Sequence, residues 1–419
     1  MEITRGRAVV EATVVEIIAR LPLRSIARFK SVCKQWRSLI ESSYFRCLFV
    51  SLHRNSSSSW SLMFGADYPH PITEAIGFHG CDTWDLPKSL GSYIIPFRLY
   101  PNLPTSRYFY VASSNGLIWI NAFFNRTENL AYSYKSFVGN PVLQQWVEIP
   151  PPPEQSVATG LVTRVENGVV SGFKVVRTVD TGRKMERFMG MYVWRVCVYS
   201  SETGLWSFKR LLSSHPVKYT GSYPPVNLNG TLYLRERGLD HPTDEAGFLV
   251  AHDFYGPEDD DQCRVIPLLV PDNKHVRRCL TTSGGDVIYI ETLHRRLKIW
   301  RLNNNFESGE CWQLSREEID MASVGFDVDC FPMAMNPFDT DIVYLWSQQH
   351  ECLVSGDLRK QEFIVHQESE NWSDSGGSWR INTYNSKGYV EDNRNVTRVI
   401  MLSQFVLQRW MDSVPRPPN

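Results

Sequence analysis

Near the start of the chain, apolar residues recur at helical spacing: Val14, Ile17, Ile18 and Leu21 stand at i, i+3, i+4 and i+7, one stripe of a helix. Pro22 closes that element, because the residue before a proline is pushed out of the α region. Ser25 is then placed to cap a second short helix carrying Ile26, Phe29 and Cys33, and Trp36, Leu39 and Ile40 give a third apolar set. From Trp60 onward the texture changes to short β-type runs between Gly, Pro, Asn and Asp, such as YFYVASSNGLIWI and VNLNGTLYL. Asn-Gly between apolar runs is a strong hairpin signal. Such turns fall at Gly116, Gly168, Gly230 and Gly285, with an Asp-Thr turn at Asp339–Thr340, at intervals of 52, 62, 55 and 54 residues.

Between these turns lies a second hairpin leading to a tryptophan: Trp146, Trp206 and Trp312. The last two are 106 residues apart, two periods of 53, and LVAHDFYGPEDDDQCRVIPL fills the slot between them without a tryptophan. Two hairpins per period make four strands, the unit of a β-propeller blade, which buries its faces by stacking around an axis. Roughly 350 residues follow the helices, room for six or seven units at that period. The expected architecture is a small all-α module of three helices (residues 1–50), a Ser-rich connector (51–59), a large all-β domain (60–412), read as a six- or seven-bladed β-propeller, and a Pro-rich tail (413–419). The tryptophans read as packing between blades, given how much area an aromatic buries. Kelch repeats share the period, but Gly-Gly doublets occur only at Gly284–Gly285 and Gly376–Gly377; Trp84–Asp85 is an isolated dipeptide, which argues against WD repeats.

Composition narrows the function classes. With 42% apolar and 21% charged residues the bulk of the chain should fold. A formal net charge of −1 argues against a global nucleic-acid binder. The first residues place acids inside their apolar run and offer no small-residue cleavage site. No apolar segment reaches the roughly 20 residues that span a bilayer. An intracellular protein, cytoplasmic or nuclear and without a membrane partner, is expected. Nine cysteines at irregular spacing, with no C-x-x-C, suit reduced buried thiols rather than disulfides or zinc. The N-x-S/T sequons at Asn55, Asn125, Asn229, Asn371 and Asn395 then read as chance matches.

The helical segment carries more large apolar residues than one small inner face needs, and the surplus marks a partner surface. From Met1 to Arg54 ten Lys/Arg stand against four Asp/Glu, so this end is locally about +6. Helix-turn-helix DNA binding fits poorly, since the helices lead with Ile, Val and Trp instead of base-reading polar residues. Cys33 and Trp36 lack the second Cys of a redox pair.

The stretch VVEATVVEIIARLPLRSIARFKSVCKQWRSLIESSYF resembles an F-box of the plant type, through Glu16–Pro22, Ser25–Lys30, Val32–Ile40 and Phe45. The later motifs Ser113–Ile118, Gly139–Pro150, Ser171–Arg177, Val198–Trp206 and Leu228–Leu234 resemble the F-box-associated domain of the same, kelch-related, proteins. The resemblance implies the substrate-receptor subunit of a Skp–cullin–F-box ubiquitin ligase. The helices would hold a Skp-type adaptor, and through it a cullin, while the β domain holds an unknown protein target. Adaptor contact is then expected at Ile17, Leu21, Pro22, Val32, Cys33 and Trp36. One departure stands out: the family's opening Leu-Pro, acidic pair and Leu are replaced by Val9, Val10, Glu11, Ala12 and Thr13. That keeps open a propeller-based interaction protein no longer joined to a ligase. A propeller enzyme is the remaining alternative.

Catalytic signatures are missing: no G-x-S-x-G elbow, phosphate loop, H-E-x-x-H or dinucleotide fingerprint occurs, and no cofactor is called for. His252–Asp253 reads as a structural histidine rather than a dyad. Glu258–Asp261 lacks the alternating ligands of a calcium loop. For a target site, the longest irregular connections are Leu211–Pro225, Arg235–Gly247 and His366–Arg380. They carry Tyr219, Tyr223, Trp372 and Trp379, residue types enriched at binding hot spots.

Overall fold

The computed structural model of the chain describes residues 12–53, 60–63, 74–78, 84, 90–93, 105–124, 133–179, 186–217, 224–236, 247–257, 259–269, 276–303, 310–326, 328, 330–366, 379–381 and 399–418. Four helices come first where three were expected: α1 over residues 12–19, α2 (Leu23–Phe29), α3 (Lys34–Ile40) and α4 (Ser43–Leu52). Pro22 takes the N-cap position of α2, so the proline that stops α1 also starts its successor. Ser25 therefore lies inside α2 instead of capping it. Cys33, expected within the second helix, is the extended N-cap of α3, where its sulfur accepts the Trp36 N–H at 3.4 Å. Ser42 caps α4 by accepting the Phe45 N–H at 3.2 Å. With two residues between α3 and α4, the apolar pattern alone does not separate them.

The described strands of the β domain form six sheets. Five are blades of consecutive antiparallel strands. The first comprises Thr105–Ser114, Leu117–Phe124, Ser133–Asn140 and Gln145–Ile149. The second comprises Ser156–Glu166, Val169–Val179, Met191–Ser200 and Leu205–Ser213, with the short strand Arg187–Phe188 beside its third. Val226–Leu228, Thr231–Glu236, Phe248–Asp253 and Arg264–Pro267 build the third. The fourth holds Arg277–Ser283, Asp286–Leu293, Arg296–Leu302 and Trp312–Leu314. The fifth holds Phe331–Met335, Ile342–Ser347, Cys352–Asp357 and Glu362–His366.

The sixth sheet is shared by the two ends of the chain. Trp60–Met63 and Glu74–Phe78 pair with each other, Ser403–Val406 lies inside them and Trp379–Ile381 outside. This corrects the expected six- or seven-bladed propeller: among the described residues five runs of chain make a blade each. Dividing length by period counts both ends as full units, whereas each end supplies only part of one closing sheet.

The predicted turns join the first and second strands of all five blades. Asn115–Gly116, Asn167–Gly168, Asn229–Gly230 and Gly284–Gly285 each have φ > 0 at both residues, the geometry of a type I′ hairpin. At Gly116 a Cβ would also stand 2.5 Å from Gln408 Cγ, so close approach excludes a side chain there. The fifth connection differs from the expected tight Asp-Thr turn: it spans residues 336–341, with Asn336 Oδ1 accepting the N–H groups of Phe338 and Asp339.

The quoted motifs turn out to hold blades together. Trp206 Nε1 donates to the Pro150 carbonyl at 3.0 Å and Trp312 Nε1 to the Pro267 carbonyl at 2.8 Å, each tying an outer strand to the preceding blade. Within Ser171–Arg177, Phe173 is buried and Lys174 Nζ donates to the third blade at the Phe254 carbonyl, 2.7 Å. Arg177 reaches Tyr134 Oη of the first blade at 3.2 Å.

His366 ends the fifth blade's outer strand beside Ser355 Oγ at 2.6 Å, and burial pushes its imidazole from 6.5 down to about 4. Because the folded value lies below the unfolded one, the unfolded chain binds the proton first, and stability falls as pH drops from about 6.5 toward 4. Thermal midpoints across that window should decline, and His366→Gln should flatten the decline. An equal slope in the variant would count against this origin.

Candidate functional site

The helical module turns one apolar face inward and keeps another outside. Ile18, Ala19, Leu23, Ile26 and Ile40 are buried, while Ile17 is 56% and Val32 62% exposed. The predicted stripe is thereby divided, Ile18 going to the core and Ile17 to the surface. Of the other expected adaptor residues, Cys33 is exposed and Leu21, Pro22 and Trp36 are half-buried. Trp36 packs against Phe29 with ring centroids 5.1 Å apart, which makes it support for the face. Ala12 and Thr13 are exposed at the start of α1, and Val9, Val10 and Glu11 lie outside the described residues.

The module is joined to the propeller by α4 and the segment after Val406. One apolar core runs from Ile18 and Phe45 through Phe49 and Trp410 to Ile118 and Phe405. The Trp410 ring lies 4.9 Å from Phe49 and 6.0 Å from Phe45. Arg46 donates to both Asp412 oxygens, at 3.1 and 3.0 Å, and to the carbonyls of Asn167 and Gly168, at 3.3 and 2.9 Å. Trp84 Nε1 donates to the Gln408 carbonyl at 2.7 Å. Further on, Val414 enters the core between the first and second blades and its N–H donates to Gln145 Oε1 at 3.1 Å.

Asn167–Gly168 belongs to the end of the propeller that carries the turns between first and second strands. Antiparallel order puts the connections between second and third strands, and between successive blades, at the opposite end. Leu211–Pro225 and Arg235–Gly247 depart from that opposite end, away from the helices. The third candidate connection does not stay there: it leaves at His366, but Trp379 pairs with Phe78 next to Trp60, at the helix-bearing end. The four aromatic residues expected at a target site are thus divided, with Trp379 at one end; Tyr219, Tyr223 and Trp372 lie outside the described residues.

At the helix-bearing end a cavity of about 190 Å³ opens among the inner strands, lined by Ser113, Asn227, Thr281, Ser403 and Gln404 among others. Its hydroxyls mostly engage one another: Tyr110 Oη lies 2.7 Å from Ser113 Oγ and 2.6 Å from Ser403 Oγ, and Ser114 Oγ lies 2.8 Å from Thr163 Oγ1. His252 is buried 3.3 Å from the Gln262 carbonyl, and burial lowers its pKa, which favours the neutral ring. Asp253 is turned away, accepting the Tyr255 N–H at 2.8 Å, so the two form no dyad. The described cysteines are free thiols, and no cluster suited to a metal ion occurs among the described residues.

A helical module with an outward apolar face is thus fixed to a β-propeller that carries its hairpin turns at one end and long connections at the other. Comparison with known proteins gives that build a family. Residues 12–48 match the F-box domain, and residues 58–416 match the β-propeller of proteins like F-box protein At3g26010. F-box protein At1g49990 of Arabidopsis thaliana is 60% identical over 442 residues, covering 100% of both chains. F-box protein At3g26010 of the same plant is 42% identical, covering 99% of this chain and 93% of its own. The chain belongs to the plant F-box proteins with a C-terminal β-propeller.

Proposed function

We propose that the protein is a substrate receptor of a Skp–cullin–F-box ubiquitin ligase. Its helical module binds a Skp-type adaptor, and through it a cullin, while the propeller binds a protein target. The observation that carries this reading is the apolar surface held out of the core at Ile17 and Val32, 56% and 62% exposed, in a module that matches the F-box. Such a surface fits a partner better than solvent. The exposed cations Arg24, Arg28, Lys34 and Arg37 favour an acidic adaptor surface and speed its encounter. In this role the protein performs no bond chemistry; it raises the concentration of target beside the ligase.

The structure supplies a cleaner test than substitution of half-buried Leu21. Ile17→Asp combined with Val32→Asp places charge on exposed positions, where substitutions usually shift stability by no more than about 0.5 kcal/mol. Co-purification with a recombinant Skp-type adaptor should be lost while the thermal midpoint stays put. Retention of the adaptor by this double variant would exclude the proposed face.

A further inference from the structure

We infer that the cavity of about 190 Å³ among the inner strands binds a small neutral polyhydroxy compound of monosaccharide size. The site goes beyond the receptor reading and does not depend on it. Its polar wall is assembled from four sheets. Ser113 and Ser114 come from the first blade, Asn227 from the third, Ser283 from the fourth, and Ser403 and Gln404 from the closing strand. Pockets for drug-sized ligands measure about 300–1,000 Å³, so this one suits a single sugar-sized ring.

Charge and hydrogen bonding set the class of ligand. Among the described residues that line the cavity, none has an ionisable side chain. The two acids next to them in the chain are engaged elsewhere: Asp286 pairs with Arg301 at 3.6 Å, and Asp339 accepts the Asp341 N–H at 3.0 Å. An ion would shed its hydration here with no counter-charge to replace it. Most donors of the wall are already spent. Gln404 Nε2 donates to the Thr282 and Met335 carbonyls, at 3.0 and 3.1 Å. Ser113 Oγ donates to the Gln404 carbonyl at 2.9 Å and Ser283 Oγ to the Asn336 carbonyl at 2.6 Å. The hydroxyl and amide oxygens keep spare lone pairs, so the wall offers mainly acceptors. A ligand must bring donors without bringing charge, and hydroxyl groups do that. The same bonds fix the wall's rotamers in advance, which removes part of the ordering cost of binding.

Phe338 supplies an apolar platform. Four blades join their first two strands by a two-residue turn, whereas the fifth uses residues 336–341 and sets this ring, 44% exposed, beside the cavity. Asn336 Oδ1 pins the backbone there by accepting the Phe338 and Asp339 N–H groups. The C–H face of a sugar ring is apolar and fits against an aromatic face, while its hydroxyls reach the polar wall. The Arg409 guanidinium lies 5.9 Å from the Phe338 ring centroid, so the charge nearest the platform is positive and opposes a cationic ligand. Asn229, an exposed lining residue, has a carboxamide with no hydrogen bond among the described residues and can both donate and accept.

The probes are glucose, galactose, mannose and myo-inositol, titrated calorimetrically against the full chain. Glucuronate and glucosamine, at slightly acidic pH where both carry charge, are the counterparts. At least one neutral probe should bind with a Kd of about 1 mM or below, and both charged ones at least about tenfold more weakly. Phe338→Ala keeps the N–H that Asn336 accepts and removes an exposed ring, so the thermal midpoint should hold while the best probe weakens about tenfold or more. If that variant loses its midpoint, Asn229→Gly takes its place. Glycine accepts the φ of 49° at that position, and binding should fall about threefold or more. No neutral probe reaching about 1 mM, a charged counterpart within about tenfold of the best neutral one, or undiminished binding by a folded variant overturns the site. Adaptor binding by the Phe338→Ala chain should be unchanged, so this site and the receptor reading fail separately.

Discussion

A chain ending at Leu402 should lose the cooperative unfolding of its β domain. The deleted Ser403–Val406 is the innermost strand of the closing sheet and pairs with Trp60–Met63 along its whole length. Its Gln404 also stitches two other blades together, Nε2 donating to the Thr282 carbonyl at 3.0 Å and the Met335 carbonyl at 3.1 Å. On the other side, Ser403 Oγ meets Tyr110 of the first blade at 2.6 Å. Phe405 and Trp410, both buried, go with the strand. Replacing one large buried aromatic by alanine costs about 3–5 kcal/mol, and a domain has only about 5–15 kcal/mol in hand. Losing Phe405, together with the strand's own pairing and the Gln404 bridges, should therefore open the ring. Near-UV circular dichroism and limited proteolysis report the outcome, and a sharp melt at the full-length midpoint would show that closure does not depend on this strand. Gln404→Leu is the graded version: it removes the side-chain donor from two part-buried carbonyls, a hydrogen-bond loss of about 0.5–1.5 kcal/mol each.

That closure marks the boundary of what local pattern discloses. Asn115–Gly116, Asn167–Gly168 and Asn229–Gly230 are readable because a two-residue hairpin needs φ > 0 twice, and few residues supply it. The period of the blades follows from those turns, as does the packing role of Trp206 and Trp312. What the pattern leaves open depends on partners distant in sequence. Trp410 has no periodic neighbours to announce it; its meaning lies in Phe45 and Phe49, at the other end of the chain. Trp379 shares a long connection with Trp372, yet strand direction sends it to the end opposite His366, and connection length carries no information about direction. Ile17 and Ile18 are equivalent as apolar letters in a stripe. Which of them becomes surface is decided by where α4 and the propeller sit.

Trp410→Ala should uncouple the helical module from the propeller without unfolding either one. The indole fills the gap between α4 and the blades, 4.9 Å from Phe49 and 6.0 Å from Phe45, and is 6% exposed. Its removal should cost about 3–5 kcal/mol of docking free energy. The Arg46 pairing with Asp412 remains, 17% and 11% exposed at the two side chains, and Asp412→Asn in the same chain should remove about 1.5–3 kcal/mol more. Protease cutting between α4 and Trp60 should accelerate at least tenfold in the double variant, a shift that needs only about 1.4 kcal/mol. The propeller's own melt should move little, because its blade-to-blade contacts are untouched. In the proposed receptor role the two substitutions would act through geometry: adaptor and target should each still bind, while delivery of ubiquitin to the target slows, since proximity serves catalysis only when orientation is held. Unchanged protease sensitivity would show that α4 is held by other contacts. Unchanged transfer with a loosened module would show that fixed orientation is not what the C-terminal segment provides.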